Sequence, residues 1–361
     1  MIFWGIGGMK RRKNMRINIL MIMLALLFML AGCGKQGVTS SVEEGMQYIA
    51  ALDYRAALAA FDTAELNGED DRLIARGRGI AYIGLVEYEA AIENLKLCLA
   101  ASDGAVIEMD YDVNYYLAAA YQKNGDFSEA ETIYDAILAL KPEETDAYYL
   151  RGNARLSQGK FEEAKADFDM VIRLEPNNYK RLIQVYELLV SKGYEAQGTA
   201  YLETALKERS EKMSDYDEGC IQYYLGHYEE AQVLLEKAKS EGTADAYLYL
   251  GMAYEATGDY NYAITNVYNS YLNKNQGNAE IYNQLGLCYM KQEEYDRALE
   301  AFQNAMQISD NGMMQTLQFN EIIAYEYLGE YTQATVLLDN YLKTYPDDET
   351  AQREYGFLST R

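Results

Sequence analysis

The chain has 361 residues and a formal net charge of −24 at pH 7. That balance argues against nucleic acid as a partner, because such binding rests on Lys and Arg neutralising phosphates. Three prolines and almost no β-branched alternation argue against a sheet protein.

Residues 1–33 read as a targeting segment. Lys10–Arg16 is basic, and Ile17–Leu30 is an apolar run too short to span a membrane. Leu30-Ala31-Gly32-Cys33 follows. This ending resembles a bacterial lipobox, in which an aliphatic residue and two small ones precede a cysteine. The resemblance implies a signal peptide over residues 1–32 and a fatty-acylated thiol at Cys33, which becomes the mature N-terminus. An ordinary cleaved signal with an incidental cysteine is the alternative. Translation starts at Met1, Met9 or Met15, since residues 1–8 sit oddly ahead of the basic stretch. Each buried methylene contributes about 0.8 kcal/mol, so two or more acyl chains hold a protein stably. The expected location is therefore an extracytoplasmic membrane face, of the outer membrane if the host has one. Residues 33–41 supply the lipid-bearing cysteine and a polar tether.

From residue 38 onward the chain repeats itself. Numbering each unit 1 to 34 puts Ala57, Ala91, Ala130, Ala164, Gly198, Ala231, Ala263, Ala298 and Ala334 at position 20. Position 17 holds Tyr54, Tyr88, Phe127, Phe161, Glu195, Tyr228, Tyr260, Tyr295 and Tyr331. Position 8 is glycine at 45, 79, 152, 219, 251 and 286, and Pro142, Pro176 and Pro346 all fall at position 32. Each unit reads as two amphipathic helices joined by a turn, with small residues where the helices cross and proline where the second must stop. A hairpin of this size cannot bury its apolar face alone and needs neighbours of its own kind.

This pattern resembles the tetratricopeptide repeat, W-x2-L-G-x2-Y, then A-x3-F, then P. Tyr148, Tyr247 and Tyr282 stand where that family has its first-position Trp. The resemblance implies an all-α, right-handed superhelix of about nine helix-turn-helix repeats (residues 38–348) with a capping helix over 349–361. Repeats one to five occupy 38–212 and repeats six to nine 213–348. Repeat five is degenerate, and repeat six begins one residue early, so packing is expected to be thinner near 195–216, where the solenoid is expected to bend or divide into two lobes.

Catalytic constellations are missing. His227 is the only histidine, in a turn and without a positioned partner. No phosphate-cradling loop or calcium-loop pattern occurs, so neither an enzyme nor a cofactor or metal site is expected. Cys98 and Cys288 occupy sites held elsewhere by alanine and read as small buried hydrophobes, while Cys220 is expected to be partly exposed.

In the family the concave groove is lined from first-helix positions 2, 5, 9, 12 and 13. By that resemblance the partner-binding residues are Tyr115, Tyr149, Tyr216, Tyr223, Met252, Phe319, Ile323 and Tyr327. A row of aromatic and flexible apolar groups suits an apolar or aromatic peptide. Equally, the same residues could pack on one another. The family's carboxylate clamp is not matched, since Arg76 is the sole cation at position 5 and Asn153 the lone Asn at position 9. The leading expectation is a lipid-anchored adaptor for a protein or peptide partner. The alternative is a self-associating surface scaffold with no dedicated ligand.

Overall fold

The computed structural model describes residues 40–102, 106–208, 210–309 and 311–359. The targeting segment, Cys33 included, lies outside them. Among the described residues the protein is all-helical, an α-solenoid of nine hairpins and one closing helix.

The chain forms two compact units divided between Pro142 and Glu143. The first contains three hairpins: α1 (Ser41–Ala50) with α2 (Tyr54–Leu66), α3 (Asp71–Gly84) with α4 (Tyr88–Ala100), and α5 (Glu108–Asn124) with α6 (Phe127–Leu140). The second opens with α7 (Thr145–Ser157), α8 (Phe161–Leu174), α9 (Tyr179–Ser191) and α10 (Glu195–Lys207). It continues through α11 (Asp215–Tyr224), α12 (Tyr228–Ala238) and α13 (Ala244–Ala256). α14 covers 260–272, and α15 (Ala279–Lys291), α16 (Tyr295–Met306), α17 (Met314–Tyr327) and α18 (Tyr331–Thr344) follow. A single helix, α19 (Glu349–Leu358), closes the unit.

Within each hairpin the crossing is built from three positions. The position-20 alanines from Ala57 to Ala334 are fully buried. So are the position-24 side chains Phe61, Leu95, Tyr134, Phe168, Leu202, Leu235, Phe302 and Leu338. Opposite them, in six of the nine hairpins, lie the position-8 glycines. A Cβ on Gly152 would come within 2.6 Å of Phe168, and one on Gly219 within 2.7 Å of Leu235. The large side chain therefore rests on bare backbone, and the two residues specify each other.

Turns obey one rule. Position 15 adopts left-handed backbone in every hairpin, supplied by glycine at 125, 159, 193, 226, 258 and 329. Leu52, Val86 and Glu293 take the same conformation with φ of 60°, 65° and 62°. Each non-glycine there carries strain of about 1–2 kcal/mol, most awkwardly the β-branched Val86. Helix starts are capped where the link supplies a short polar side chain. The Asp70 carboxylate accepts from the Arg72 and Leu73 amides, and Ser214 with Asp217 forms a reciprocal capping box. The phase slip near Lys212 lies inside the second unit. In that stretch α10 buries only Gly198 and Leu202, whereas α16 buries Ala298, Ala301, Phe302 and Ala305.

One second helix departs from the rest. α14 is α-helical at Tyr260–Tyr262 and Asn269–Leu272, but Ala263–Tyr268 is π-helical. A π turn takes up one residue more than an α turn. Counting from Ala263, Val267 should occupy position 24, yet Tyr268 is the residue lying on Gly251. The π segment thus moves a tyrosine into a core place that phenylalanine or leucine fills in most other hairpins.

Candidate functional site

The second unit carries two clefts of useful size. One, about 560 Å³, lies between α8, α9 and α10, where packing is thin. Its polar groups answer one another. The Tyr201 hydroxyl donates to Asp169 at 2.6 Å, Lys165 pairs with the same carboxylate at 2.7 Å, and Arg181 pairs with Asp146 and Glu175. Both cations of its lining, Lys165 and Arg181, are thus already paired.

The other cleft, about 700 Å³, opens on the first helices of four successive hairpins. Its apolar lining comes from Met252 on α13, Leu287 and Met290 on α15, and Ile323 on α17. Rings reach it from Tyr223, Tyr260, Tyr295 and Tyr327, the last two stacked with centroids 5.2 Å apart. Gln284 and Asn320 add amides, and Lys291 and Glu293 stand at its rim with opposite charges.

Glu255, on α13, is the exception in this lining. Its carboxylate accepts from the Tyr268 hydroxyl and from the Cys288 thiol, both neutral donors. Burial raises its pKa above the ordinary carboxylate value, against those hydrogen bonds, which favour the charged form. Burial and the adjacent carboxylate together hold the Tyr268 hydroxyl far above its usual range. The π segment of α14 is the local cause, since it brings Tyr268 under Gly251 and within reach of Glu255.

Of the eight groove residues expected from sequence, Tyr223, Met252, Ile323 and Tyr327 meet in this cleft. Four others, all from position 5, turn inward. Tyr115, in the first unit, lies against Tyr134 at 6.2 Å between centroids. Tyr149 packs on Phe168 at 6.3 Å beneath the Arg181 guanidinium. Tyr216 meets Tyr249 edge-on at 6.2 Å, and Phe319 packs on Tyr341 at 5.8 Å. Position 5 itself faces the core, since the shorter Ile183, Leu248 and Asn283 at that position are buried too, and the cleft is left to positions 9, 12 and 13. Cys220 is also corrected: it is 2% exposed, because Tyr216 lies one turn before it and hydrogen-bonds its thiol. Tyr260 and Tyr295, counted by position among packing residues, have rings that reach the cleft.

Tyr223, Tyr224 and Tyr249 contact one another edge-on or tilted beside the cleft. The Tyr224 hydroxyl donates to Glu187 at 2.6 Å, and burial pushes the Tyr249 hydroxyl up to about 12. Of the three, Tyr223 lines the cleft. His227 is exposed at the start of α12, its Nδ1 2.7 Å from the Gln222 amide oxygen. Among the described residues no group of three or more His, Cys, Asp or Glu side chains is placed to hold a metal ion. None of the described helices is long and apolar enough to cross a membrane.

Two repeat family models match parts of the chain. Residues 115–179 and 216–279 match one tetratricopeptide repeat family model, and 279–311 match a second. No curated protein matches. Among solved structures, a tetratricopeptide repeat protein from Parabacteroides merdae is 16% identical, covering 70% of this chain and 98% of its own, with a TM-score of 0.43. Yeast Tom70 is 14% identical over 88% of this chain and 80% of its own, with a TM-score of 0.49. The human IFIT1 dimer with PPP-AAAA is 17% identical over 90% and 87%, with a TM-score of 0.40.

Proposed function

We propose that this chain, which carries tetratricopeptide repeats, is a lipid-anchored adaptor at an extracytoplasmic membrane face. It captures a segment of a protein partner in the cleft formed by α11, α13, α15 and α17. The observation that carries the reading is that cleft: Met252, Leu287, Met290 and Ile323 present flexible apolar surface inside a frame of tyrosines. Such surfaces accept side chains of a peptide at modest entropic cost to themselves. An adaptor of this kind positions its partner near the membrane, in the manner of envelope assembly or placement of cell-wall enzymes.

The anchor half of the reading is supported by the basic stretch, apolar run and Leu30-Ala31-Gly32-Cys33 ending. Mass analysis of the protein from isolated membranes tests it. The expected N-terminal peptide begins at Cys33, carries a diacylglyceryl group and lacks residues 1–32. An unmodified thiol on a protein recovered in the soluble fraction contradicts the anchor.

A further inference from the structure

We infer that the occupant of the α11, α13, α15 and α17 cleft is a partner segment presenting an arginine or lysine side chain between apolar side chains, its cation seated on Glu255. This rests on the adaptor reading above and names the chemistry of the ligand.

Three observations lead to it. First, Glu255 is a carboxylate in a lining otherwise made of Met252, Leu287, Met290, Ile323 and tyrosine rings. Its hydrogen-bond partners, Tyr268 and Cys288, orient it without cancelling its charge. Lys291 and Glu293 at the rim carry opposite charges, which leaves Glu255 as the one acidic group of the lining without a cationic counterpart there.

Second, the chain spends an irregular helix on this arrangement. Elsewhere the core place beneath a position-8 glycine takes a side chain such as Phe61, Phe168 or Phe302, which asks for no hydrogen bond. Here the π segment Ala263–Tyr268 delivers a hydroxyl instead, and its acceptor is Glu255. Tyr268 is therefore a positioning residue for the carboxylate. π segments inside α-helices recur at functional places.

Third, the surroundings choose among cations. Calcium and magnesium take six or more oxygen ligands and zinc four nitrogen, oxygen or sulfur ligands, and one carboxylate beside a phenol and a thiol falls short of either set. A cleft of about 700 Å³ is also much larger than an ion. Tyrosine faces attract guanidinium and ammonium groups, and the methylene stems of Arg and Lys pack on apolar walls. A formal charge of −24 on the whole chain favours the approach of a basic segment.

The test uses the full chain in detergent micelles and two pools of short synthetic peptides. Both pools have apolar residues randomised around one central position, arginine in one and its neutral isostere citrulline in the other. Wild type should retain the arginine pool roughly tenfold or more over the citrulline pool, as expected for a charge-assisted hydrogen bond in a desolvated site. Glu255→Gln should bring the two pools level while still retaining citrulline peptides, because glutamine can accept from Tyr268. Tyr268→Phe, which keeps the ring and the packing, should give an intermediate preference. Equal retention by wild type, or a preference that survives Glu255→Gln, overturns the inference. If wild type retains both pools equally and Met290→Glu releases both, the adaptor reading stands and the cation seat falls. If neither pool is retained, both fall together.

Discussion

Phe61→Ala is expected to destabilise the first unit by about 3–5 kcal/mol, the largest effect of any single truncation in the account. Phe61 is fully buried, and its ring touches bare backbone on two neighbouring first helices. A Cβ on Gly45 would come within 2.6 Å of the ring, and one on Gly77 would overlap it. With no side chains at those two positions, nothing adjacent can swing into the vacated space, so the cavity should persist. Urea denaturation followed by hydrogen exchange in α1 to α3 reads the loss. The same geometry predicts non-additivity. Gly77→Ala should destabilise wild type but partly rescue Phe61→Ala, since its methyl enters the emptied volume. A loss below about 1 kcal/mol for Phe61→Ala, or simple additivity of the pair, contradicts this picture of the crossing.

Gly251→Ala should cost about 1–3 kcal/mol, through overpacking rather than a cavity. A Cβ there overlaps the Tyr268 ring, and that ring cannot retreat. It is fully buried, sits in a π segment, and is tied by its hydroxyl to Glu255. Because Tyr268 and Glu255 form a unit, the substitution should also disturb the cleft floor from the core side. Gly356→Ala in α19 is the matching control, since its Cβ would meet nothing within 4 Å. There alanine's better helix propensity should stabilise by up to about 1 kcal/mol. If the two substitutions behave alike, close contact is not what holds glycine at position 8.

Much of this architecture was legible in the residues because the repeat is written in its core. Ala57 to Ala334 recur in phase and are all buried, and the prolines at 142, 176 and 346 each follow the end of a second helix. The π segment was not legible in the same way. Residue counting shows one residue too many between Ala263 and the next unit, but a longer link would absorb it equally well. Only the seating of Tyr268 on Gly251 places the extra residue inside α14. Glu255 stands at position 12, which the family resemblance assigns to the groove, but only its hydroxyl donor Tyr268, delivered by the π segment, sets it apart from an ordinary groove glutamate.

The expected groove divided by position in the repeat. Met252 and Ile323 at position 9, with Tyr223 and Tyr327 at positions 12 and 13, line the cleft. Tyr115, Tyr149, Tyr216 and Phe319 at position 5 find ring partners in the core. Ile183, Leu248 and Asn283 at that position are buried as well, so the direction set by the position decides, and the length of the side chain does not.

Photocrosslinking in intact cells, from a photoreactive residue at position 290 in the cleft and, separately, at position 265 on the exposed side of α14, bears most directly on the claim that the α11–α17 cleft is where a partner docks. The account predicts a discrete protein adduct from position 290, lost on Glu255→Gln, and none from position 265. Adducts from position 265 but not from 290 would contradict it.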